Sequence, residues 1–164
     1  MVRRCHADAH CGNIVVFEGK PLLFDAIEFS ERIAIIDVLY DLAFLLMDLI
    51  HFGQLAAANA ILNHYLDLRR SEEDLTGLSL LSLFLSIRAG VRAIVAADRL
   101  HELADSRAMS EKRQEAREYF TACLDYLSEQ RPRLICIGGL SGTGKSTIAR
   151  KLAPRVMPLP GAIL

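Results

Sequence analysis

The chain has 164 residues, 52% apolar and 24% charged, with 19 Lys and Arg against 20 Asp and Glu. That length supports one domain with a sizeable core, or one domain and part of another, and the composition excludes disordered, collagenous and disulfide-scaffolded classes. A net charge of −1 without a basic block leaves no electrostatic footprint for nucleic acid, and four cysteines without paired spacing point to a reducing cytoplasm.

Met1-Val2-Arg3-Arg4-Cys5 is basic but has no apolar run behind it, so it does not read as a signal peptide. Ile14-Val15-Val16-Phe17 and Pro21-Leu22-Leu23-Phe24 flank Glu18-Gly19-Lys20, which predicts a β-hairpin with a three-residue turn. Residues 31–130 read as helical throughout. The first helix is expected over 31–52, ending near Gly53, and a second over 54–69. A third follows the N-cap signal at Ser71 and runs to about 104 with a break at Gly77. The last opens at Ser110 and is stopped by Arg131-Pro132.

Residues 33–50 are long and apolar enough to cross a bilayer on length alone. They contain Asp37, Asp41 and Asp48, however, whose spacings of four and seven place them on one helical face. Three carboxylates near the centre of a span are costly in lipid, so the segment reads as a buried helix with one polar stripe and no membrane partner. Arg88 and Arg92, four apart on a later helix, are the candidate partners of those carboxylates. His51, His64 and His101 read as surface or helix-end residues, and 111–115 as a solvated helix face.

From Arg133 the pattern changes. Leu134-Ile135-Cys136-Ile137 has the continuous apolar character of a buried parallel strand. Gly139-Leu140-Ser141-Gly142-Thr143-Gly144-Lys145-Ser146-Thr147 follows, and then a helical start. This is G-x-x-x-x-G-K-S between a strand and a helix, the context a phosphate-binding loop requires. Gly139, Gly142 and Gly144 let backbone N–H groups turn inward around phosphate oxygens. Lys145 would reach the β- and γ-phosphates of ATP, the Ser146 hydroxyl would sit on Mg²⁺, and Thr147 opens the helix whose dipole faces the anion. Only 18 residues follow Ser146, broken by Pro154, Pro158 and Pro160, and Gly161-Ala162-Ile163-Leu164 resembles the start of another strand. The expectation is a chain cut inside an α/β P-loop domain, with 1–130 forming one unit and 131–164 the start of a second.

His6-Ala7-Asp8-Ala9-His10-Cys11-Gly12-Asn13 has the spacing H-x-D-x-x-x-x-N. In kinase-like phosphoryl transfer such a loop supplies a carboxylate that takes the substrate hydroxyl proton and an amide oxygen that holds Mg²⁺. A second metal carboxylate is expected on the next strand. With the turn centred on Gly19, Asn13 faces Asp25, and both would project from one side of the ribbon. A zinc site from Cys5, His6, His10 and Cys11 is the competing use of the segment, but no second chelating pair follows.

These residues, with Leu23-Phe24-Asp25-Ala26-Ile27-Glu28-Phe29 and Asp37-Val38-Leu39-Tyr40-Asp41-Leu42-Ala43, resemble the C-terminal lobe of the aminoglycoside phosphotransferase and choline kinase-like superfamily. The order of segments is similar to bacterial two-domain proteins that fuse such a lobe to a P-loop kinase or ATPase. The resemblance covers nearly the whole chain and implies a mainly α lobe with an N-terminal β-hairpin. It also implies Asp8 as catalytic base, Asn13 and Asp25 as Mg²⁺ ligands, His6 as support of the catalytic loop, and Asp41 as its brace from the helix below. Two departures stand out: Ala7 replaces the family's usual Gly, and the N-terminal lobe that would cover the ATP phosphates is missing. The implied function is an ATP-dependent phosphotransferase of a small-molecule hydroxyl acceptor. Alternatives are a P-loop kinase or NTPase with the first lobe as a substrate-binding or regulatory module, and an inactive truncated product.

Overall fold

The computed structural model describes residues 1–102, 105–128, 131, 133–158 and 160–163. It is mainly helical, with small antiparallel strand pairs at the N-terminus. The expected ends of the third and last helices at 104 and 130, the stop at Pro132, the side chain of His101, and Leu164 lie outside the described residues.

Strand β1 (Val2–Arg4) pairs with β4 (Ile35–Asp37), and β2 (Ile14–Phe17) with β3 (Lys20–Leu23), all antiparallel. The hairpin forms with a different turn from the expected one. Phe17 pairs with Lys20 and Ile14 with Leu23, so the loop has two residues, Glu18 and Gly19, both left-handed at φ 49° and 75°. A two-residue turn of this hand matches the right-handed twist of the flanking strands, and Glu18 adopts it although nothing in its residue type announces it. The register therefore shifts by one: Phe24, whose N–H bonds the Asn13 carbonyl at 3.0 Å, stands opposite Asn13. The expected opposition of Asn13 and Asp25 is not formed.

The first expected helix is also divided. A single turn, α1 (Glu31–Ala34), leads into β4, and α2 (Val38–His51) begins only after Asp37. Asp37 is the N-cap, accepting the Leu39 N–H at 2.9 Å, so it does not share the polar stripe with Asp41 and Asp48. Pairing with β1 holds residues 35–37 extended against the apolar tendency of Ile35 and Ile36 to continue the helix.

Helix α3 (Leu55–Arg69) agrees with expectation, and α4 (Glu72–Gly77) ends at the expected break. A Cβ at Gly77 would lie 2.7 Å from the end of the Leu39 side chain, so a larger residue there would have to push Leu39 aside in its packing against α4. The Ser71 side chain makes no cap hydrogen bond. After a short 3₁₀ turn, α5 (Leu81–Asp98) crosses α2 and α6. Helix α6 (Ser106–Leu127) starts four residues before the expected Ser110, because Asp105 caps it by accepting the Ala108 N–H at 2.9 Å. The core lies between α2, α3, α5 and α6, where Phe44, Leu46, Met47, Leu62, Leu85 and Tyr119 are fully buried.

Beyond α6, residues 134–137 form no regular element and pair with no strand among the described residues, and Leu134 is 84% exposed. The expected buried strand is not formed: a parallel strand is buried by neighbours on both sides, and none lies beside it here. Helix α7 (Lys145–Leu152) follows the glycine-rich loop. Residues 161–163 are bonded to α3, with the Gly161 carbonyl accepting from Asn59 Nδ2 (2.8 Å) and Asn63 Nδ2 (2.9 Å), and the Ile163 N–H donating to Asn63 Oδ1 (2.6 Å).

Candidate functional site

The loop from His6 to Asn13 is held at both ends by one helix. On α2, Asp41 and Asp48 are seven residues apart and so share a face two turns long. Asp41 Oδ2 accepts the His6 N–H at 3.0 Å, and Asp48 Oδ2 accepts the Cys11 N–H at 3.0 Å. Behind each carboxylate stands an arginine of α5, one turn apart: Arg88 Nη2 is 3.8 Å from Asp41 Oδ1 and Arg92 Nε is 3.8 Å from Asp48 Oδ1. The expected pairing of these charges is therefore present for two of the three carboxylates.

The two clamps differ in their surroundings. The Arg88 guanidinium lies over the Tyr40 ring (3.9 Å) and the Phe44 ring (4.6 Å), and its Nε donates to the Tyr40 carbonyl at 3.1 Å. Burial raises the Asp41 carboxyl above its ordinary pKa, opposed by Arg88 and by the loop N–H groups, and lowers that of Arg88. Asp48 is only 1% exposed and has a further partner, the Tyr119 hydroxyl, which donates to Oδ1 at 3.1 Å. Burial pushes the Tyr119 hydroxyl up to about 12, so it stays a donor across the physiological range. His51, expected at a helix end, does lie in the last turn of α2, but its ring stacks on Tyr119 at 3.9 Å. His64 is exposed on α3.

Inside the clamps the loop is ordered by its own side chains. Asn13 is buried, and its Nδ2 donates both to the Asp8 carbonyl (3.0 Å) and to Asp8 Oδ2 (2.9 Å). His10 Nδ1 accepts the Gly12 N–H at 3.0 Å, which puts the proton of the neutral ring on Nε2, 3.5 Å from Asp8 Oδ2. Burial lowers the His10 pKa, partly opposed by Asp8, and favours that neutral form. A Cβ on Gly12 would come within 2.7 Å of the His10 ring, so any side chain here must displace that ring from the Gly12 N–H it accepts. With Oδ2 engaged twice, Asp8 Oδ1 has no hydrogen-bond partner among the described residues, and neither does Asn13 Oδ1.

Ala7 is left-handed at φ 68°, the conformation its departure from glycine makes strained. His6 Nε2 lies 2.9 Å from the Phe24 carbonyl, and the Ile27 N–H donates to the His6 carbonyl at 3.0 Å. The loop is thereby tied to the segment holding Asp25, which is itself left-handed at φ 60°. Two non-glycine residues in this region of φ, one on each side of the same contact, mark local strain of the kind folds retain at working sites. Cys11 is not a reactive thiol: burial and then Asp48 push it up to about 11. Among the described residues no three His, Cys, Asp or Glu side chains cluster as a metal site.

The glycine-rich loop is a separate feature. Gly142 and Gly144 are left-handed (φ 79° and 81°), and Gly144 caps α7, whose first residues are Lys145, Ser146 and Thr147. Gly139 has φ 150°, and a Cβ there would meet Thr143 Oγ1 at 3.0 Å. Lys145 Nζ donates to the Leu140 carbonyl at 2.7 Å, and Thr143 Oγ1 to the same oxygen at 2.8 Å. A cavity of about 790 Å³ separates this segment from α3 and α4, with Lys145, Ser146, Arg133 and Asp67 on its walls. No hydrogen bond or ion pair joins the two loops among the described residues.

The sequence singled out His6, Asp8, Asn13 and the bracing Asp41, and offered Arg88 and Arg92 jointly as partners of Asp37, Asp41 and Asp48, without showing that Asp48 holds the loop. It also missed His10, Gly12 and Tyr119. The repeated spacing, seven on α2 against four on α5, was the available signal, since it implies two equivalent clamps.

The chain is 33% identical over 151 residues, 92% of its length, to uncharacterized proteins of Mycobacterium tuberculosis (strain H37Rv and strain CDC 1551) and Mycobacterium bovis. The match covers 29% of each relative, so the chain spans under a third of their length. No family model and no solved structure matches it.

Proposed function

We propose that the chain carries the reacting, kinase-like C-terminal lobe of an ATP-dependent phosphotransferase acting on a hydroxyl of a small molecule, in the cytoplasm, with neither nucleic acid nor a membrane as partner. The observation that carries this reading is the state of Asp8. Asn13 Nδ2 fixes one carboxylate oxygen and the backbone carbonyl behind it, while Oδ1 is left to receive a proton. A carboxylate held in one orientation with one oxygen left free is what general-base assistance to a hydroxyl requires. Asp8 would orient the acceptor hydroxyl and take its proton as the oxygen attacks the terminal phosphoryl group of ATP. His6 would keep the base in register with the Asp25 segment through the Phe24 carbonyl.

The donor chemistry suits Mg²⁺, although the hairpin register does not set the two residues opposite each other. Asn13 Oδ1, left without a partner while Nδ2 donates twice, and the exposed Asp25 carboxylate are hard oxygen donors. Mg²⁺ is commonly held by one or two carboxylates completed by phosphate oxygens. Charge neutralisation on the transferring phosphates is the chemistry that ion supplies when bound.

A second reading, a P-loop kinase or NTPase served by the first lobe, is favoured by the left-handed Gly142 and Gly144 leading into α7. That geometry suits backbone N–H groups around an ATP phosphate, with Lys145, Ser146 and Thr147 at the helix start. Calorimetric titration of Mg-ATP into the wild-type chain, Asp25→Ala and Lys145→Ala separates the two. The first reading expects saturable binding lost in Asp25→Ala and kept in Lys145→Ala; the second expects the reverse. An absence of binding in all three contradicts both and leaves the inactive product.

A further inference from the structure

Helix α5 presents an unusual outer face. From Leu83 to Ala97 every exposed residue is apolar: Leu83, Ile87, Val91, Ile94, Val95 and Ala97. The two arginines of this stretch, Arg88 and Arg92, are turned inward to Asp41 and Asp48. The apolar surface continues on α6, where Phe120, Leu124 and Leu127 are each more than half exposed. The two helices approach closely at Gly90 and Cys123, where a Cβ on Gly90 would sit 3.6 Å from the sulfur. Leu83, Ile87 and Ile94 lie one to two turns from Gly90, Phe120 and Leu127 about one turn from Cys123, and Leu124 directly after it. Both stripes therefore border the same crossing.

The area is large. The eight big side chains of the two stripes are between 37% and 63% exposed. Together they make an apolar surface at or beyond the few hundred Å² that an ordinary monomer exposes in one patch. Such a surface is of the order that one partner contributes to a stable protein interface.

We infer that this face is the interface of a homodimer, in which α5 and α6 of one chain pack on α5 and α6 of a second copy about a two-fold axis. The rim fits a surface that must complement itself. On α6 the exposed charges include Arg113 and Arg117 beside Glu111, Glu118 and Asp125, both signs interspersed. A lipid surface would call instead for a cationic polar border, and here the arginines of α5 are committed to the core. The run of α4, the 3₁₀ turn and α5, Glu72–Asp98, is apolar and long enough to span a bilayer by length and composition, with 39% of its most apolar window buried inside the fold. Its buried share contains the charged clamps, which assigns the stretch to the core of the fold and its outer stripe to a second protein surface.

Sedimentation velocity at micromolar concentrations, with vesicle flotation in parallel, tests this on the full chain. The expected result is a species of twice the chain mass that Ile94→Lys and Leu124→Lys each weaken at least tenfold. Both positions are exposed, so the variants should keep the wild-type circular dichroism and melting midpoint. Val16→Lys, on the equally exposed hairpin, should leave the dimer intact. A wild-type chain that stays monomeric overturns the proposal, whether or not it floats with phosphatidylcholine or phosphatidylserine vesicles. A dimer broken by Val16→Lys and untouched by the other two overturns it as well, by placing the contact on the hairpin.

Discussion

Two loops in this chain carry the residue types of phosphate chemistry, and the fold treats them differently. The His6–Asn13 loop is clamped at each end by a buried carboxylate, each carboxylate is backed by an arginine, and one of them is also bonded by Tyr119. The glycine-rich loop at 139–147 is exposed over most of its length, and its lysine bonds a carbonyl of the same loop. By spacing alone the second motif is the more specific of the two. Motif specificity and tertiary support are thus independent quantities: the first reports what a loop could bind, the second how firmly the fold holds it.

The largest expected effect breaks the better-supported loop. Asp48→Ala would leave Arg92, the Tyr119 hydroxyl and the Cys11 N–H without their common acceptor, and should destabilise the chain by about 3–5 kcal/mol in urea unfolding. Lys145→Ala, which removes a half-buried side chain with one hydrogen bond to a carbonyl of its own loop, should stay within about 1 kcal/mol of wild type. Equal effects of the two substitutions would erase the contrast.

Gly12→Ala should follow, at about 1–3 kcal/mol, because the added Cβ meets the His10 ring while that ring is held by the Gly12 N–H and packed on Phe44. Ala7→Gly should be close to neutral by the same unfolding assay. Releasing a left-handed alanine returns about 1–2 kcal/mol, while the extra freedom of glycine in the unfolded chain takes back about 0.4–1 and the lost burial of the methyl about 0.8.

A small effect is also expected in pH dependence. His10 is lowered in the fold, so below its ordinary pKa near 6.5 the unfolded chain binds the proton more readily than the folded one. Stability should rise with pH across the interval from the folded value up to about 6.5 and level off above it. His10→Asn should flatten that slope in melts taken from pH 5 to 8. A slope that survives the substitution would assign the titration to another group.

Much of this was legible in the sequence. The helices were readable because each carries an apolar stripe, and Gly77 and Asp41 were placed correctly by break and spacing. The failures share a physical cause, long-range pairing. Residues 35–37 leave the helix because β1 lies beside them, and Glu18 turns left-handed because the hairpin twist selects a two-residue turn. Residues 134–137 stay exposed because a parallel strand needs neighbours that no local pattern supplies. At the candidate site the chemistry-bearing residues were visible and their supports were not: Asp48 and Tyr119 are 37 and 108 positions from Cys11 in sequence, and act on it only through packing.

Amide hydrogen exchange with and without Mg-ATP tests the central claim most directly. The account predicts slow exchange at the His6 and Cys11 amides and fast exchange at residues 141–144 in the free chain, with nucleotide adding protection at 8–13 and 24–26. Protection gained only at 139–147, with His6 and Cys11 exchanging as fast as the glycine-rich loop, would contradict it.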